Sequence, residues 1–312
     1  MKKSLSVIII GASAILIVAQ ILNSVLGVSS FESTLKESLI SRYQIVEMEL
    51  KRKIETSVNY GKPIYLFNGM DKIFNNIMTQ EKNITNIYVT LPDGKILYST
   101  NKSEVDGILN VTNIPVFHNN PKEEDLAKKE IIQSGDYYFI ALPLYYHNSD
   151  YLGMVVIQFE KKLIQERVNA MIFNNVKYLA IIIFCAIIAL ISLLVLINNI
   201  YLKNKFLKKI KLNRLNFISI IIILISAQLT FSFINNKYFE KTLLKVVDEK
   251  LETLSNTMKN YFEYFLNLDM PVNRLKNAEL YLDSRLKNNP EAAEIITTDH
   301  EGKTLYFARN LG

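Results

Sequence analysis

Three long apolar blocks interrupt an otherwise mixed pattern of hydrophobic and polar positions: Leu5–Leu26, Leu179–Ile197 and Phe217–Phe233. Each is close to the roughly 20 residues that a helix needs to cross the hydrocarbon of a bilayer. The pattern therefore predicts three transmembrane helices and excludes a plain soluble enzyme. The stretch between the first two blocks is long and polar enough to fold as one domain, which argues against a pure transporter.

The distribution of basic residues predicts which segments stay inside the cell. Lys2 and Lys3 precede the first block, and residues 201–214 carry six Lys or Arg and no acid. Short loops rich in Lys and Arg remain cytoplasmic. We expect residues 30–175 and 236–312 to lie outside. The first block is longer than the core of a removed signal peptide, so we favour a retained anchor over cleavage near Gly27.

The formal net charge of +6 changes little in this interpretation, because the excess lies beside the apolar blocks. A nucleic-acid patch is the alternative, but anionic lipid headgroups are the expected neighbours and no nucleic-acid partner is predicted. The single cysteine, Cys185, excludes a disulfide within the chain. His118 and His147 are far apart in sequence, and we predict neither a metal site nor a cofactor.

The chain matches itself without a gap when it is shifted by 208 positions. Of the 84 positions from Ile15 to Tyr98, 20 are identical to their counterparts. A scarce proline and a turn glycine also coincide, since Pro63 meets Pro271 and Gly94 meets Gly302. This register indicates a duplication, with a second copy that stops after its first hairpin.

The first outside segment begins with a helical stripe of apolar residues spaced three or four apart: Phe31, Leu35, Leu39, Tyr43, Val46, Leu50, Ile54 and Val58. The repeat preserves the stripe between residues 239 and 266. A shorter helix is predicted near residues 71–81. Five strands are then predicted at Ile84–Leu91, Lys95–Thr100, Glu130–Gln133, Tyr137–His147 and Tyr151–Glu160, the first two joined by a turn at Gly94.

The fourth strand is apolar or aromatic at nearly every position, which predicts cover on both faces. The long helix would cover one face, and residues 101–129 or a ligand the other. After Phe159 the apolar spacing becomes helical and continues into the second block. Because no Gly or Pro lies between Gly153 and Pro271, we expect one unbroken helix from the last strand into the membrane.

This order of elements resembles the single Cache family, which comprises extracytoplasmic PAS-like sensor domains of bacterial receptors. The matching segments read IYVTLPDGKILY at residues 87–98, YFIALPLY at 138–145 and LGMVVI at 152–157. Leu91 departs from the acid that the family often has before the turn, whereas the second copy has Asp299. The amino-acid-binding signature of the family is not found. The resemblance implies an α+β membrane protein with a PAS-like five-stranded antiparallel sheet, a long N-terminal helix and a partial second copy.

The resemblance also implies that a small molecule binds between the sheet and residues 101–129 and shifts the terminal helix. Tyr88, Tyr98, Tyr138 and Gln158 are the candidate ligand-binding residues, because each offers a polar group on an apolar strand. Ordinary packing, with each tyrosine hydroxyl bonded locally, is the competing interpretation. No catalytic arrangement of residues is predicted.

The favoured function is the sensory input region of a bacterial receptor in the plasma (inner) membrane, acting as a homodimer by analogy with such receptors. The predicted organisation is a cytoplasmic start and first membrane helix (1–29), a sensor domain (30–175), a second helix (176–200), a cytoplasmic loop (201–214), a third helix (215–235) and a truncated second sensor domain (236–312). An output module would lie beyond residue 312. A histidine kinase is the first expectation for it, ahead of a chemoreceptor, cyclic-nucleotide enzyme or phosphatase.

Two other classes of function remain open. The outside domains could bind another envelope protein in a structural or assembly role, with the face of the sheet packed dry. A closed pocket facing Tyr88 and Tyr98 would favour sensing over this alternative. An envelope enzyme is the least favoured class, because the sequence offers no catalytic arrangement.

Overall fold

The computed structural model describes residues 2–110, 130–147, 150–203, 212–267, 270, 275 and 277–310. Helix α1 (Lys2–Asn59) is followed by a short 3-10 turn (Ile64–Leu66) and by α2 (Met70–Gln80). The next elements are β1 (Ile84–Thr90), β2 (Ile96–Ser99), a second 3-10 turn (Lys102–Glu104), β3 (Glu130–Ser134), β4 (Tyr137–Tyr146) and β5 (Asp150–Glu160). The chain then forms α3 (Lys162–Lys203), α4 (Leu212–Leu266), α5 (Ala278–Lys287), β6 (Glu294–Thr298) and β7 (Thr304–Arg309).

These elements divide into two compact units. The apolar unit comprises Met1–Lys36 and Lys162–Leu244, and the mixed unit comprises Glu37–Lys161 and Lys245–Gly312. The boundary between them falls inside α1 and α4, so both helices contribute to each unit.

The helices α1, α3 and α4 are each long and apolar enough to cross a membrane, by length and composition. Ile182 and Ala186 of α3 pack with Ala227 and Phe231 of α4. Other large apolar side chains of the same helices are mostly exposed, among them Phe184 and Leu229. The predicted cytoplasmic loop falls mainly on residues 204–211, which lie outside the described residues.

The mixed unit is built on a five-stranded antiparallel sheet in the order β2-β1-β5-β4-β3. The prediction of a five-stranded antiparallel sheet is confirmed, and all five strands lie where the sequence pattern places them. The fourth strand is buried from Phe139 to Tyr145, in agreement with its continuous apolar sequence. Helix α3 begins at Lys162, two residues after β5 ends, and runs without a break to Lys203.

Helix α1 covers one face of this sheet. All eight residues of its predicted apolar stripe are buried, with at most 8% of each side chain exposed. Phe31 and Leu35 belong to the apolar unit, and the other six belong to the mixed unit with the sheet. The Tyr43 ring lies 4.8 Å from the ring of Phe159 on β5, measured between centroids. The three-to-four-residue spacing places the stripe on one side of the helix, and burial of that side fixes how α1 meets the sheet.

The β1–β2 and β6–β7 hairpins have the same local structure, 208 residues apart. The pairing of Val89 with Tyr98 recurs as Thr297 with Tyr306, and in both hairpins the register shifts at the next pair. The turn glycines, Gly94 and Gly302, have φ angles of 83° and 81°. These left-handed positions need glycine, because a side chain there costs free energy.

The segments before these hairpins also correspond. The backbone N–H of Phe67 donates to the Tyr98 hydroxyl at 3.1 Å, and that of Leu275 donates to the Tyr306 hydroxyl at 3.0 Å. Both α2 and α5 follow a residue in the left-handed region, Gly69 in one case and Asn277 in the other. Pro271, the predicted counterpart of Pro63, lies outside the described residues.

The apolar stripe of α4 is less completely buried than its sequence predicts. Leu254 and Phe262 are buried, but Leu266 is 53% exposed. Polar residues take part in the buried side of the helix instead, including Lys250 and Thr253. The ammonium of Lys250 can be buried because it pairs with the carboxylate of Glu291 at 2.8 Å.

Candidate functional site

The side of the sheet that faces away from α1 carries the candidate site, and we call it the outer face. Its apolar part is a cluster formed by Tyr88, Ile96, Ile132, Phe139, Ala141, Met154 and Val156. Successive strand residues alternate between faces, so Asn86 and Gln158 lie on the outer face as well, directly opposite each other. Residues 111–129, predicted to help cover this face, lie outside the described residues.

Three polar side chains form a hydrogen-bonded chain within this apolar face. The hydroxyl of Tyr88 donates to Oε1 of Gln158 at 2.8 Å and accepts a hydrogen bond from Nδ2 of Asn86 at 2.9 Å. The amide of Asn86 also donates to Oε2 of Glu104 at 2.9 Å. All three residues on the strands are at most 9% exposed. Buried polar groups of this kind require partners, and together they specify one arrangement of the face.

Asn86 is the centre of this network, because its Oδ1 fixes the chain just after β2. It accepts hydrogen bonds from the backbone N–H of Asn101 at 3.2 Å and from Oγ of Ser99 at 3.3 Å. Glu104 in turn accepts from Nδ2 of Asn101 at 3.0 Å. The network therefore ties the central strands to the start of the segment that follows β2.

Burial raises the pKa of Tyr88, and the neighbouring Glu104 carboxylate raises it further. The Tyr88 hydroxyl consequently keeps its proton throughout the physiological range and remains a hydrogen-bond donor. Thr90, two residues farther along β1 on the same face, is fully buried, and its hydroxyl makes no hydrogen bond within the described residues. Two hydroxyls of the outer face therefore differ in state. That of Tyr88 remains a hydrogen-bond donor, and that of Thr90 has no hydrogen bond within the described residues.

Two of the four predicted site residues come together, and two do not. Tyr88 and Gln158 are bonded on the outer face, whereas Tyr98 lies opposite Val89 and Tyr138 opposite Phe159, on the face toward α1. A pocket facing both Tyr88 and Tyr98 would have favoured sensing. The strand register places these two residues on opposite faces of the sheet, so they do not share a pocket.

Tyr98 and Tyr138 have local partners instead. The Tyr98 hydroxyl donates to the Ile64 carbonyl at 3.0 Å and holds the connection between α1 and α2. The Tyr138 ring lies 5.4 Å from that of Phe159 and 5.7 Å from the Lys161 ammonium. Both contacts match the ordinary packing that competed with ligand binding in the sequence interpretation.

A polar row on α1 fixes the helix along the edge of β4. Within the described residues, β3 pairs with β4 only as far as Ala141. Beyond that point the β4 backbone bonds to α1 side chains spaced four apart. Glu55 accepts from the Tyr145 N–H at 2.8 Å, Asn59 accepts from the His147 N–H at 3.1 Å, and Lys51 donates to the Pro143 carbonyl. These side chains replace a neighbouring strand for an otherwise open edge.

Glu47 extends this row by one helical turn and is completely buried. Burial raises its pKa well above the usual value, and the Lys51 ammonium and the Leu142 N–H oppose the rise without cancelling it. The folded protein therefore holds this carboxyl protonated over a pH range in which the unfolded chain ionises it. Its raised pKa makes the folded state lose stability as pH rises from the unfolded pKa toward the folded one.

Replacing Glu47 with Gln should remove this pH dependence. We expect E47Q and the unmodified protein to have similar stability below the unfolded pKa of glutamate. As pH rises above it, E47Q should become progressively the more stable of the two, because glutamine pays no ionisation penalty. Thermal unfolding at a series of pH values measures the difference, with E55Q as the comparison on the same row. A constant difference across pH would contradict the assignment.

Comparison with protein-family models and with curated proteins finds no match. Among solved structures, an extracellular ligand binding receptor from Desulfohalobium retbaense is similar at 9% identity and a TM-score of 0.33, over 45% of this chain and 25% of that one. The sensory domain of the Campylobacter jejuni chemoreceptor Tlp3 is similar at 14% identity and a TM-score of 0.31, over 50% of this chain and 66% of that one. At these TM-scores neither similarity bears on what this chain does.

Proposed function

We propose that the chain is the extracytoplasmic sensory input region of a bacterial transmembrane receptor, and that it binds a small molecule on the outer face of the sheet. The observation that carries this proposal is the buried network of Asn86, Tyr88 and Gln158. These side chains pair with one another in the absence of a ligand, and a ligand with its own donors and acceptors would exchange its hydrogen bonds for theirs.

The position of Gln158 links binding to a helix. Gln158 lies on β5, which ends at Glu160, and α3 begins at Lys162. A ligand that takes over the Tyr88–Gln158 hydrogen bond would change the position of β5 and with it the start of α3. Such a ligand shifts the equilibrium only by its difference in affinity for the two states. A coupling of about 1–3 kcal/mol is sufficient for a usable signal.

We also propose that the apolar helices cross the bilayer three times, with the N-terminus and residues 201–214 in the cytoplasm. Their length and apolar composition support crossing, and the six basic residues of the loop support the orientation. The exposed apolar side chains of α3 and α4, such as Phe184 and Leu229, suit contact with lipid. The inner membrane, a homodimer and a histidine kinase output remain predictions.

The mixed unit is proposed to contain one Cache-like domain and the first half of another. The recurrence of specific contacts 208 residues apart supports this proposal. The hairpins share register and turn geometry, and the Phe67–Tyr98 hydrogen bond corresponds to the Leu275–Tyr306 hydrogen bond. Convergent packing seldom reproduces a backbone-to-side-chain bond at a constant offset, whereas duplication does.

Tyr88→Phe should abolish ligand binding while the fold is kept. The full chain in nanodiscs is heated in the presence of single amino acids, small organic acids, nucleosides and polyamines. We expect at least one compound to raise the melting temperature of the unmodified protein. Binding at 100 times Kd corresponds to about 2.7 kcal/mol of added stability. The variant should lose this increase, because it removes the Tyr88 hydroxyl to which the ligand would bond.

Tyr98→Phe is the matched control, since it removes a hydroxyl of the same kind from the opposite face. It should cost about 1 kcal/mol of stability through its lost bond to Ile64 and leave the effect of the ligand unchanged. If no compound raises the melting temperature, or if Tyr88→Phe retains the full increase, ligand sensing on the outer face is wrong.

A further inference from the structure

A cavity lies among the helices of the mixed unit, away from the sheet. It has a volume of about 640 Å³ and is lined by residues of α1, of α2 and its C-terminal end, and of the last turns of α4. Cavities that bind small molecules usually measure about 300–1,000 Å³. No strand residue lines it, so this space is separate from the Tyr88 network.

The walls of this helical cavity are rich in side-chain amides. Asn75 and Asn76 contribute from α2, Asn256 and Asn260 from α4, and Asn267 from the turn just after α4. Residues 256 and 260 are four apart and so share one side of α4. The side chains of Asn256 and Asn260 are half-buried and make no hydrogen bond within the described part of the chain. Each amide can both donate and accept hydrogen bonds, and these two have both capacities free.

The carboxylates that line the cavity are already neutralised. Glu49 pairs with Arg52 at 2.6 Å and with Arg285 at 3.1 Å, and Glu81 pairs with Arg42 at 2.9 Å. A third, Glu263, lies 3.7 Å from the Lys259 ammonium. Paired charges offer little attraction to an ion, because the partner cancels most of the field. Two cations also line the cavity: Lys53 lies 3.8 Å from Glu49, and Lys72 is exposed, so water screens its charge. The cavity therefore suits an uncharged ligand that needs many hydrogen bonds.

The remaining surface of the cavity is apolar and aromatic. Val46 and Leu50 of α1 and Ile73 and Ile77 of α2 contribute aliphatic surface. Tyr264 also lines the cavity and is 57% exposed, so its ring is accessible from solvent. Saccharides combine these requirements, since their rings present C–H faces that stack on aromatic and aliphatic surface and hydroxyls that bond to amides. We propose that this cavity binds a short, uncharged saccharide.

This proposal goes beyond the sensing function proposed above, because it concerns other residues and needs no ligand on the outer face. A tryptophan introduced at the rim provides the test. The chain contains no tryptophan, so Tyr264→Trp places a single fluorophore beside the cavity. The full chain in nanodiscs is titrated with glucose, N-acetylglucosamine, maltose and cellobiose. We expect a saturable change in emission with at least one of them, and calorimetry on the unmodified protein should give the same Kd.

The double variant Asn256→Ala/Asn260→Ala should weaken saccharide binding by about tenfold, because two hydrogen bonds are lost. Alanine is favoured in helices, so the variant should fold, and its melting temperature checks this. The matched control is Glu252→Gln/Ser255→Ala, two exposed changes on the same helix outside the cavity, which should leave Kd unchanged.

Tyr88→Phe separates the two proposals, since it should leave saccharide binding unchanged. The proposal is overturned if no saccharide changes the emission or produces heat, or if Asn256→Ala/Asn260→Ala binds as well as the unmodified protein. It is also overturned if Tyr88→Phe removes saccharide binding, because the sugar would then occupy the outer face.

Discussion

Gly153→Ala should destabilise the mixed unit by about 3–5 kcal/mol, the largest effect that we expect of a single substitution. Gly153 has a φ of 134°, and a Cβ at this position would lie 1.8 Å from the carbonyl oxygen of Thr90. The clash is with backbone on the neighbouring strand, so no rotamer change relieves it. The pairing of β1 with β5 would have to open, next to the residues of the outer face.

Proteolysis of the unfolded fraction at increasing urea measures this loss in the full chain in nanodiscs. Gly135→Ala is the control, because Gly135 also has a positive φ, of 53°, but a Cβ there would meet nothing within 4 Å. It should cost about 1 kcal/mol, which is the backbone strain alone. Equal losses in the two variants would show that the close approach to Thr90 is not what requires glycine at position 153.

Glu49→Gln should destabilise the mixed unit by about 3 kcal/mol. The guanidinium of Arg285 is only 7% exposed, and Glu49 is its ion-pair partner at 3.1 Å. Removing one member of a buried pair leaves an uncompensated charge, which costs far more than the pair contributes when intact. The Tyr281 ring, with its centroid 5.0 Å from the guanidinium, offers Arg285 only partial compensation.

The same urea and proteolysis measurement applies, with Glu294→Gln as the comparison. Glu294 pairs with Arg309 at 3.0 Å, but both side chains are substantially exposed. Water and salt screen such a pair, so its loss should cost no more than about 1 kcal/mol. The double variant Glu49→Gln/Arg285→Met should recover part of the stability, since the unpaired charge is then absent. Failure to recover would attribute the loss to the Glu49–Arg52 contact instead.

The elements of the fold could be predicted because each depends on a pattern that is local in the sequence. The α1 stripe from Phe31 to Val58 and the turn at Gly94 follow from helical spacing and from the backbone freedom of glycine. Strand positions followed from apolar runs between turn residues. These patterns predict which residues are buried, but they do not predict which other residues those side chains pack against.

The candidate site was predicted only in part, because membership of a face depends on register. The register between β1 and β2 shifts after Val89, and an irregularity of one residue decides which side chains share a face. Tyr98 consequently lies on the face opposite Tyr88. A signal for Asn86 did exist, since it is a polar residue two positions before Tyr88 in a strand of otherwise apolar or β-branched side chains. Glu104 carried no such signal, because loop geometry brings it to the network.

The polar row of α1 was missed for a different reason. Charged residues between the apolar positions of a helix usually face solvent, and Glu47, Lys51 and Glu55 fit that pattern in the sequence. Lys51 and Glu55 instead bond to the backbone of β4 where no strand pairs with it within the described residues, and Glu47 is buried beside them, which the sequence does not reveal. A buried carboxyl such as Glu47 can be identified only once the neighbouring strand is known.

That row couples the end of α1 mechanically to β4. Four helical residues rise about 6 Å, and two strand residues extend about 6.6–6.8 Å. These two distances are similar, so side chains four apart on α1 lie opposite alternate residues of β4. Sliding α1 along the strand would break the bonds at Pro143, Tyr145 and His147 together. The segment of α1 from Lys51 to Asn59 and β4 should therefore move as one rigid body.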